Sequence, residues 1–326
     1  MKQRESLRIF IKVLALLVMM QVVGCSLFFT KADESDRYAY IAKQKQQSFH
    51  DGIVNGIKKE MAVRHLDVDV FYAKHQKDLE SQRGFIEKVI ADGRYKGVMI
   101  CPNDSEELTN DIEKLDDAGI PFVVIDTPLK ESEVTRSFKN YCGYVGTDNF
   151  LVGEKALHYI GERLNSGSIV MVRGIHSHRS SLDREVGFVD ALVKYPQFSI
   201  ASFIVGDWAT EPAYRAYLDL MKTKAGDVDA VFAYNDHMAL GVSRYYDERP
   251  ALKRPLIVGV DGTVVGQRGL LENKIDAIVV QATELMGIDG LRMVVECANG
   301  NKVIPKDTLT PVTMITATRS LERSDS

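Results

Sequence analysis

Cysteine is scarce in this chain: four residues in 326, with no CxxC pair and no Cys/His cluster at metal-ligand spacing. That leaves no metal-binding framework to read. Seven histidines are scattered, and the only close pair is His176 and His178 in "IHSH". Two loop histidines of this kind are more often solvated than metallated. A basic excess is missing as well. The net charge is −4, so nothing points to nucleic acid or to an anionic membrane surface. No GxGxxG follows the first predicted strand and no GxxxxGK[ST] occurs, so dinucleotides and nucleoside triphosphates lack their phosphate loops. HExxH and GxSxG do not occur, and no nucleophile–base set stands out. There is no low-complexity segment and no short repeat. The longest purely apolar stretch near the N-terminus, within Val13–Val23, is too short for a membrane span.

What precedes and follows that stretch is informative. Lys2, Arg4, Arg8 and Lys12 come before it, and "VVGC" (22–25) ends it. A positive segment, an apolar segment and small or apolar residues before a Cys resemble a secretory signal with a lipobox. The expectation is a signal peptide over residues 1–24, a lipidated Cys25 and a polar tether over 25–36. An ordinary signal or an anchor helix with an incidental Cys is the alternative. Three cysteines then remain, and three cannot all pair within one chain. An oxidising compartment would allow a Cys101–Cys142 disulfide, which the sequence does not establish. Cys297, in "MVVECANG", is placed on a helix near the core.

The body of the chain alternates. Hydrophobic residues make up 45% and charged residues 26%, an ordinary globular balance. Short apolar runs predict strands at 38–42, 67–73, 97–101, 122–126, 143–146, 168–172, 201–205, 230–234, 256–260 and 277–280. Amphipathic stretches between them predict helices, among them 51–64 (Ile53, Ile57, Met61), 104–118 (Leu108, Ile112, Leu115), 148–164 and 284–298. Continuous apolar runs alternating with helices indicate parallel sheets covered on both faces. At roughly 100–200 residues per domain, the length suits about two domains. About ten strands fit an α/β fold of two doubly wound domains better than one sheet.

Four of these buried runs finish in hydrogen-bonding side chains: Asp126, Asn235, Asp261 and Gln281. Ligands of open α/β sheets bind outside the carboxyl ends of the strands. Each residue alone is better explained by a helix cap or a turn. Asp236 looks the better cap for the helix after Asn235, which would leave Asn235 free, and Gln281 is a poor cap. Four such ends together indicate a polar crevice. Carboxylates, amides, an arginine and aromatic faces suit a neutral polyhydroxylated ligand. Phe49 and Trp208 could stack on a sugar ring or lie in the core.

At this point a family emerges. "AVFAYNDHMALG" (230–241) followed by "IVGVDGT" (257–263) resembles the ribose- and galactose-binding periplasmic proteins, whose core sugar-responsive repressors share. The similarity runs from about Tyr38 to Ile315. It implies two Rossmann-like domains joined by three crossover segments, with the ligand cleft between them. One lobe would comprise 37–146 and 282–312, the other 147–281 and 313–326. The resemblance assigns ligand contacts to Gln47, Phe49, Asp126, His178, Arg184, Trp208, Asn235, Asp261 and Gln281. Phe49 and Trp208 would stack, and Arg184 would donate to ring and hydroxyl oxygens. His178 falls where hexose binders carry a histidine contact. Cys101, His50, Thr127 and Ser180 depart from the family pattern, so the particular sugar stays open.

The implied function is an exported lipoprotein, in the periplasm or at the cell surface, anchored through Cys25. It would bind a sugar or sugar-like molecule by domain closure and deliver it to an ABC permease. Docking on a membrane sensor kinase or chemoreceptor is the alternative. A repressor would carry a helix-turn-helix where this chain carries its signal-like segment. No catalysis, cofactor, metal or nucleic-acid partner is expected.

Overall fold

The buried runs become two six-stranded sheets. In the computed structural model, residues 36–45, 48–223, 228–301 and 307–316 are described. The expected signal peptide, Cys25, nearly all of the tether and Gln47 lie outside them. The first sheet contains β1 (Arg37–Ala42), β2 (Asp67–Tyr72), β3 (Tyr95–Ile100), β4 (Phe122–Ile125), β5 (Tyr141–Thr147) and β11 (Asp307–Thr310). Its order is β11-β5-β4-β3-β1-β2, with every pairing parallel. The second sheet contains β6 (Gly167–Arg173), β7 (Phe198–Val205), β8 (Ala230–Ala233), β9 (Leu256–Asp261), β10 (Ala277–Gln281) and β12 (Val312–Thr316). Its order is β12-β10-β9-β8-β6-β7, and only β12 runs antiparallel, against β10.

The helices are α1 (Ser48–Arg64), α2 (Leu79–Asp92), α3 (Thr109–Asp117), α4 (Glu133–Ser137), α5 (Asn149–Arg163), α6 (Arg179–Ala191), α7 (Thr210–Thr223), α8 (Asp236–Asp247), α9 (Val264–Leu271) and α10 (Thr283–Ala298). The chain leaves the first sheet after β5, returns after β10 to pack α10 on α1, and crosses again between β11 and β12. The three crossovers and the α/β class follow the expectation.

Burial explains the strand patterns. Every residue of β4 is buried, because helices cover both faces, so its sequence FVVI does not alternate. Edge strand β7, FSIASFIV, alternates between buried or half-buried and exposed positions, as a one-sided strand must. Strands β11 and β12 carry no long apolar run, and periodicity misses them. Helix α3 starts five residues later than its apolar spacing predicts. Asp104 Oδ1 accepts from the backbone of Glu106 and Glu107 at 2.8 Å, which folds the preceding segment into a turn.

Two helix pairs approach through glycines. A Cβ on Gly56 would sit 2.0 Å from the Glu284 carbonyl oxygen, and one on Gly287 2.0 Å from that of Ile53. Gly153 and Gly187 play the same part between α5 and α6.

The cysteine expectation is corrected. Cys142 on β5 pairs with Cys297 on α10, and Cys101 is free and buried. Strand β4 lies between β3 and β5. At about 4.8 Å per strand, that spacing puts the end of β3 beyond a disulfide's reach of Cys142.

Candidate functional site

The carboxyl ends of both sheets converge on one cavity. Its lining is Lys43, Phe49, His50, Gln76 and Asp126 from the first lobe, and Ser180, Arg184, Trp208, Asn235, Asp261 and Gln281 from the second. The empty space, mouth and open solvent included, is about 350 Å³. Seven of the nine expected residues are brought together there. Gln47 lies outside the described residues, and His178 does not line the cavity.

The two carboxylates stand on unusual backbone. Asp126 has φ 63° and Asp261 φ 109°, a region that L-residues other than Asn and Asp seldom enter. The Asp126 turn is held by its N–H to the Val145 carbonyl at 3.0 Å and by Tyr144 Oη donating to its own carbonyl at 2.7 Å. Behind Asp261 sits Asp236, fully buried, whose Oδ2 accepts from the Thr263 N–H and hydroxyl at 2.8 Å each. Non-glycine residues so placed cost about 1–3 kcal/mol each and cluster at binding sites. The turn that Asp261, taken alone, would most readily form is held instead by Asp236 and Thr263.

Each carboxylate gives one oxygen to the protein. Asp126 Oδ2 faces Lys43 Nζ at 3.5 Å, the Thr127 hydroxyl at 3.0 Å and the Cys101 thiol at 3.5 Å. Asp261 Oδ1 accepts from Gln281 Nε2 at 2.7 Å. Among the described residues, nothing hydrogen-bonds Asp126 Oδ1 or Asp261 Oδ2. The site also contains buried atoms without partners, Gln281 Oε1 and His50 Nδ1. Leaving such an atom unsatisfied costs about 1–3 kcal/mol, which a ligand's hydroxyls would remove.

Arg184 is buried and aimed by Asn149, whose Oδ1 accepts from Nε at 2.8 Å, and by a short bond from Nη1 to the Tyr234 carbonyl. Its guanidinium lies 5.5 Å from the Trp208 ring centroid. Trp208 fits only because residue 174 is glycine: a Cβ there would fall 2.1 Å from the indole.

Asn235 departs from expectation. It is itself the cap of α8, its Oδ1 accepting from the Met238 N–H at 2.9 Å, while Nδ2 donates to the Trp208 carbonyl at 3.1 Å. Asp236 is the first helical residue and turns inward to the Thr263 turn instead.

The charges nearly balance. Burial alone would raise the Asp126 carboxyl, but Lys43, with His50 and Arg184, outweighs it and holds it below the ordinary range. Burial lifts Asp261 to about 7, which Arg184 and the Gln281 amide offset only in part. Burial, followed by Lys43, pushes His50 down to about 4, so its ring is neutral at pH 7. Two cations thus face one full and one partial negative charge.

Sequence reasoning missed Lys43, which donates to the Thr127 hydroxyl at 2.6 Å. The signal was present: Lys43 directly follows five fully buried residues of β1, as Asp126 and Asp261 follow theirs. Gln76, in the loop after β2, carried no such mark.

Known proteins resemble this chain. The D-allose-binding periplasmic protein of Escherichia coli (strain K12) is 25% identical over 280 residues, 85% of this chain and 89% of that protein. The ribose import binding protein of the same organism is 27% identical over 212 residues, 65% and 68% of the two chains. A solute-binding protein of an ABC transporter from Actinobacillus succinogenes, solved with D-allose bound, superposes with a TM-score of 0.81 at 20% identity, covering 88% of this chain and all of that one. Residues 38–302, which carry nearly all of both sheets and the whole cavity lining, match the periplasmic binding protein domain, and the chain belongs to that family.

Proposed function

We propose that this protein binds a neutral monosaccharide or a similar polyol between its two lobes and hands it to an ABC permease. The observation that carries the reading is the convergence of Asp126, Arg184, Asn235, Asp261 and Gln281 with Phe49 and Trp208 on one cavity. The free carboxylate oxygens accept from hydroxyls, Arg184 donates, and the aromatic rings cover C–H faces. The near balance of charge favours an uncharged ligand. The relatives named for D-allose and ribose support the class of ligand.

Because the lining comes from both lobes, a bound sugar favours the arrangement in which they meet. Calorimetric titration with D-allose, D-ribose, D-galactose and D-fructose should show saturable binding of at least one. Small-angle scattering should show compaction with that sugar. A flat titration across pentoses, hexoses and furanose-like compounds would sink the reading.

The N-terminal segment supports export and lipid anchoring at Cys25. With Cys25→Ser, the mature protein should leave the membrane fraction, and persistence of membrane attachment would refute the anchor. Permease and ATPase genes beside this one would fit delivery, and a sensor kinase gene would fit sensing instead.

A further inference from the structure

We propose that His178 is a positioning residue that ties the orientation of Trp208 to the meeting of the two lobes, without touching the ligand. The proposal rests on the sugar-binding reading above.

His178 is fully buried at the start of α6, in the second lobe. Its Nδ1 lies 3.0 Å from Trp208 Nε1, also in the second lobe. Its Nε2 lies 2.8 Å from the Asn103 carbonyl oxygen, which follows β3 in the first lobe. An indole N–H can only donate and a carbonyl can only accept. The partners therefore dictate one neutral tautomer, with the hydrogen on Nε2. Lys43 Nζ, also from the first lobe, stands 3.4 Å from Nδ1. Both ring nitrogens are thus committed to protein, and the ring is stacked beside the indole with centroids 6.0 Å apart.

The bridge is not isolated. Ser105 N–H donates to the Ser177 carbonyl at 3.3 Å, the Arg179 N–H donates to Ser105 Oγ at 3.0 Å, and Lys77 pairs with Asp207 at 2.8 Å. All three join the first lobe to the second: Ser177 and Arg179 flank His178 in sequence, and Asp207 directly precedes Trp208. Trp208 and Asp207 have φ 62° and 49°, so the loop that presents the indole depends on outside support. His178 supplies that support from a position that only the joined lobes complete. The indole face that would cover a sugar is set when Asn103 and His178 meet.

Trp208 is the only tryptophan, so the emission comes from this indole alone. In the intact purified protein, His178→Phe keeps a ring but loses both bonds. It should redden the emission and raise acrylamide quenching. It should weaken D-allose and D-ribose by the same factor, about ten-fold, leaving their ratio unchanged. His178→Gln, which can accept and donate, should restore most of both. A folded Phe variant with wild-type emission would overturn the proposal, as would a changed ratio between the sugars, which would make His178 a ligand contact. If the Phe variant fails to fold, exchange of the wild-type indole N–H in D2O decides: slower with sugar than without is expected, and equal rates refute the coupling. If the wild type binds neither sugar, the ligand reading fails, while the emission comparison still tests the His178–Trp208 contact.

Discussion

Asp261 closes a buried strand at φ 109° with Asp236 packed behind it. Two carboxylates are thereby kept out of water, and one of them faces the cavity. Asp261→Ala and Arg184→Ala should each cost about 2–5 kcal/mol of sugar affinity, because a buried charged hydrogen bond is lost and its partner is stranded. Calorimetry measures the loss, and circular dichroism should show both variants folded. Unchanged affinity in either variant removes that residue from the site. A pH effect follows from the same carboxyl. Its value rises from an ordinary 3.8 to about 7 on folding, so folding takes up a proton. The associated stability is complete below about pH 4 and is lost as pH rises through about 7. His50 runs the other way: its value falls from 6.5 to about 4, so its contribution is present above 6.5 and lost as pH falls. Comparing Asp261→Asn with wild type isolates the carboxyl. Between pH 4.5 and 8 the variant should lose less stability than wild type, and parallel melting curves would contradict the assignment.

At the scale of elements, helix α6 carries Ser180 and Arg184 to the cavity, and its position is set by Gly153 on α5. A Cβ at 153 would meet the Arg184 carbonyl oxygen at 2.1 Å and the Phe188 nitrogen at 2.5 Å, both backbone atoms that cannot rotate away. Gly153→Ala should therefore cost about 1–3 kcal/mol of stability and weaken sugar binding as α6 shifts. Gly84→Ala, on α2 with nothing within 4 Å, is the control and should be neutral or slightly stabilising. A Gly153→Ala protein with wild-type melting and affinity would refute the close-packing account. The central strands were legible as apolar runs because burial on both faces leaves no room for polar residues. Edge strands β11 and β12 were not, since exposure lets DTLT and VTMIT read like loops.

At the scale of the molecule, the Cys142–Cys297 disulfide spans 155 residues. Both ends lie in the first lobe, so the bond closes a loop that contains most of the second. Closing so long a loop removes freedom from the unfolded chain, and breaking the bond should cost about 2–4 kcal/mol. Denaturant midpoints with and without reductant, and of Cys142→Ser, measure this; identical midpoints would show that the bond contributes nothing. Sugar affinity of the reduced, folded protein should hold, since neither cysteine lines the cavity.

The amino-acid pattern carried the alternation of strands and helices and the placing of Asp126, Asn235, Asp261 and Gln281 at strand ends, because periodicity and burial are properties of neighbouring residues. It could also have shown Lys43, which carries the same mark. It took the folded arrangement to show that Cys142 joins Cys297, that Asn235 rather than Asp236 caps α8, and that His178 faces Trp208 and Asn103 instead of the cavity. Those outcomes depend on strand order, on Asp236 being taken by the Thr263 turn and on which loops of two lobes meet, and residues 155, 27, 30 or 75 positions apart carry no local trace of one another.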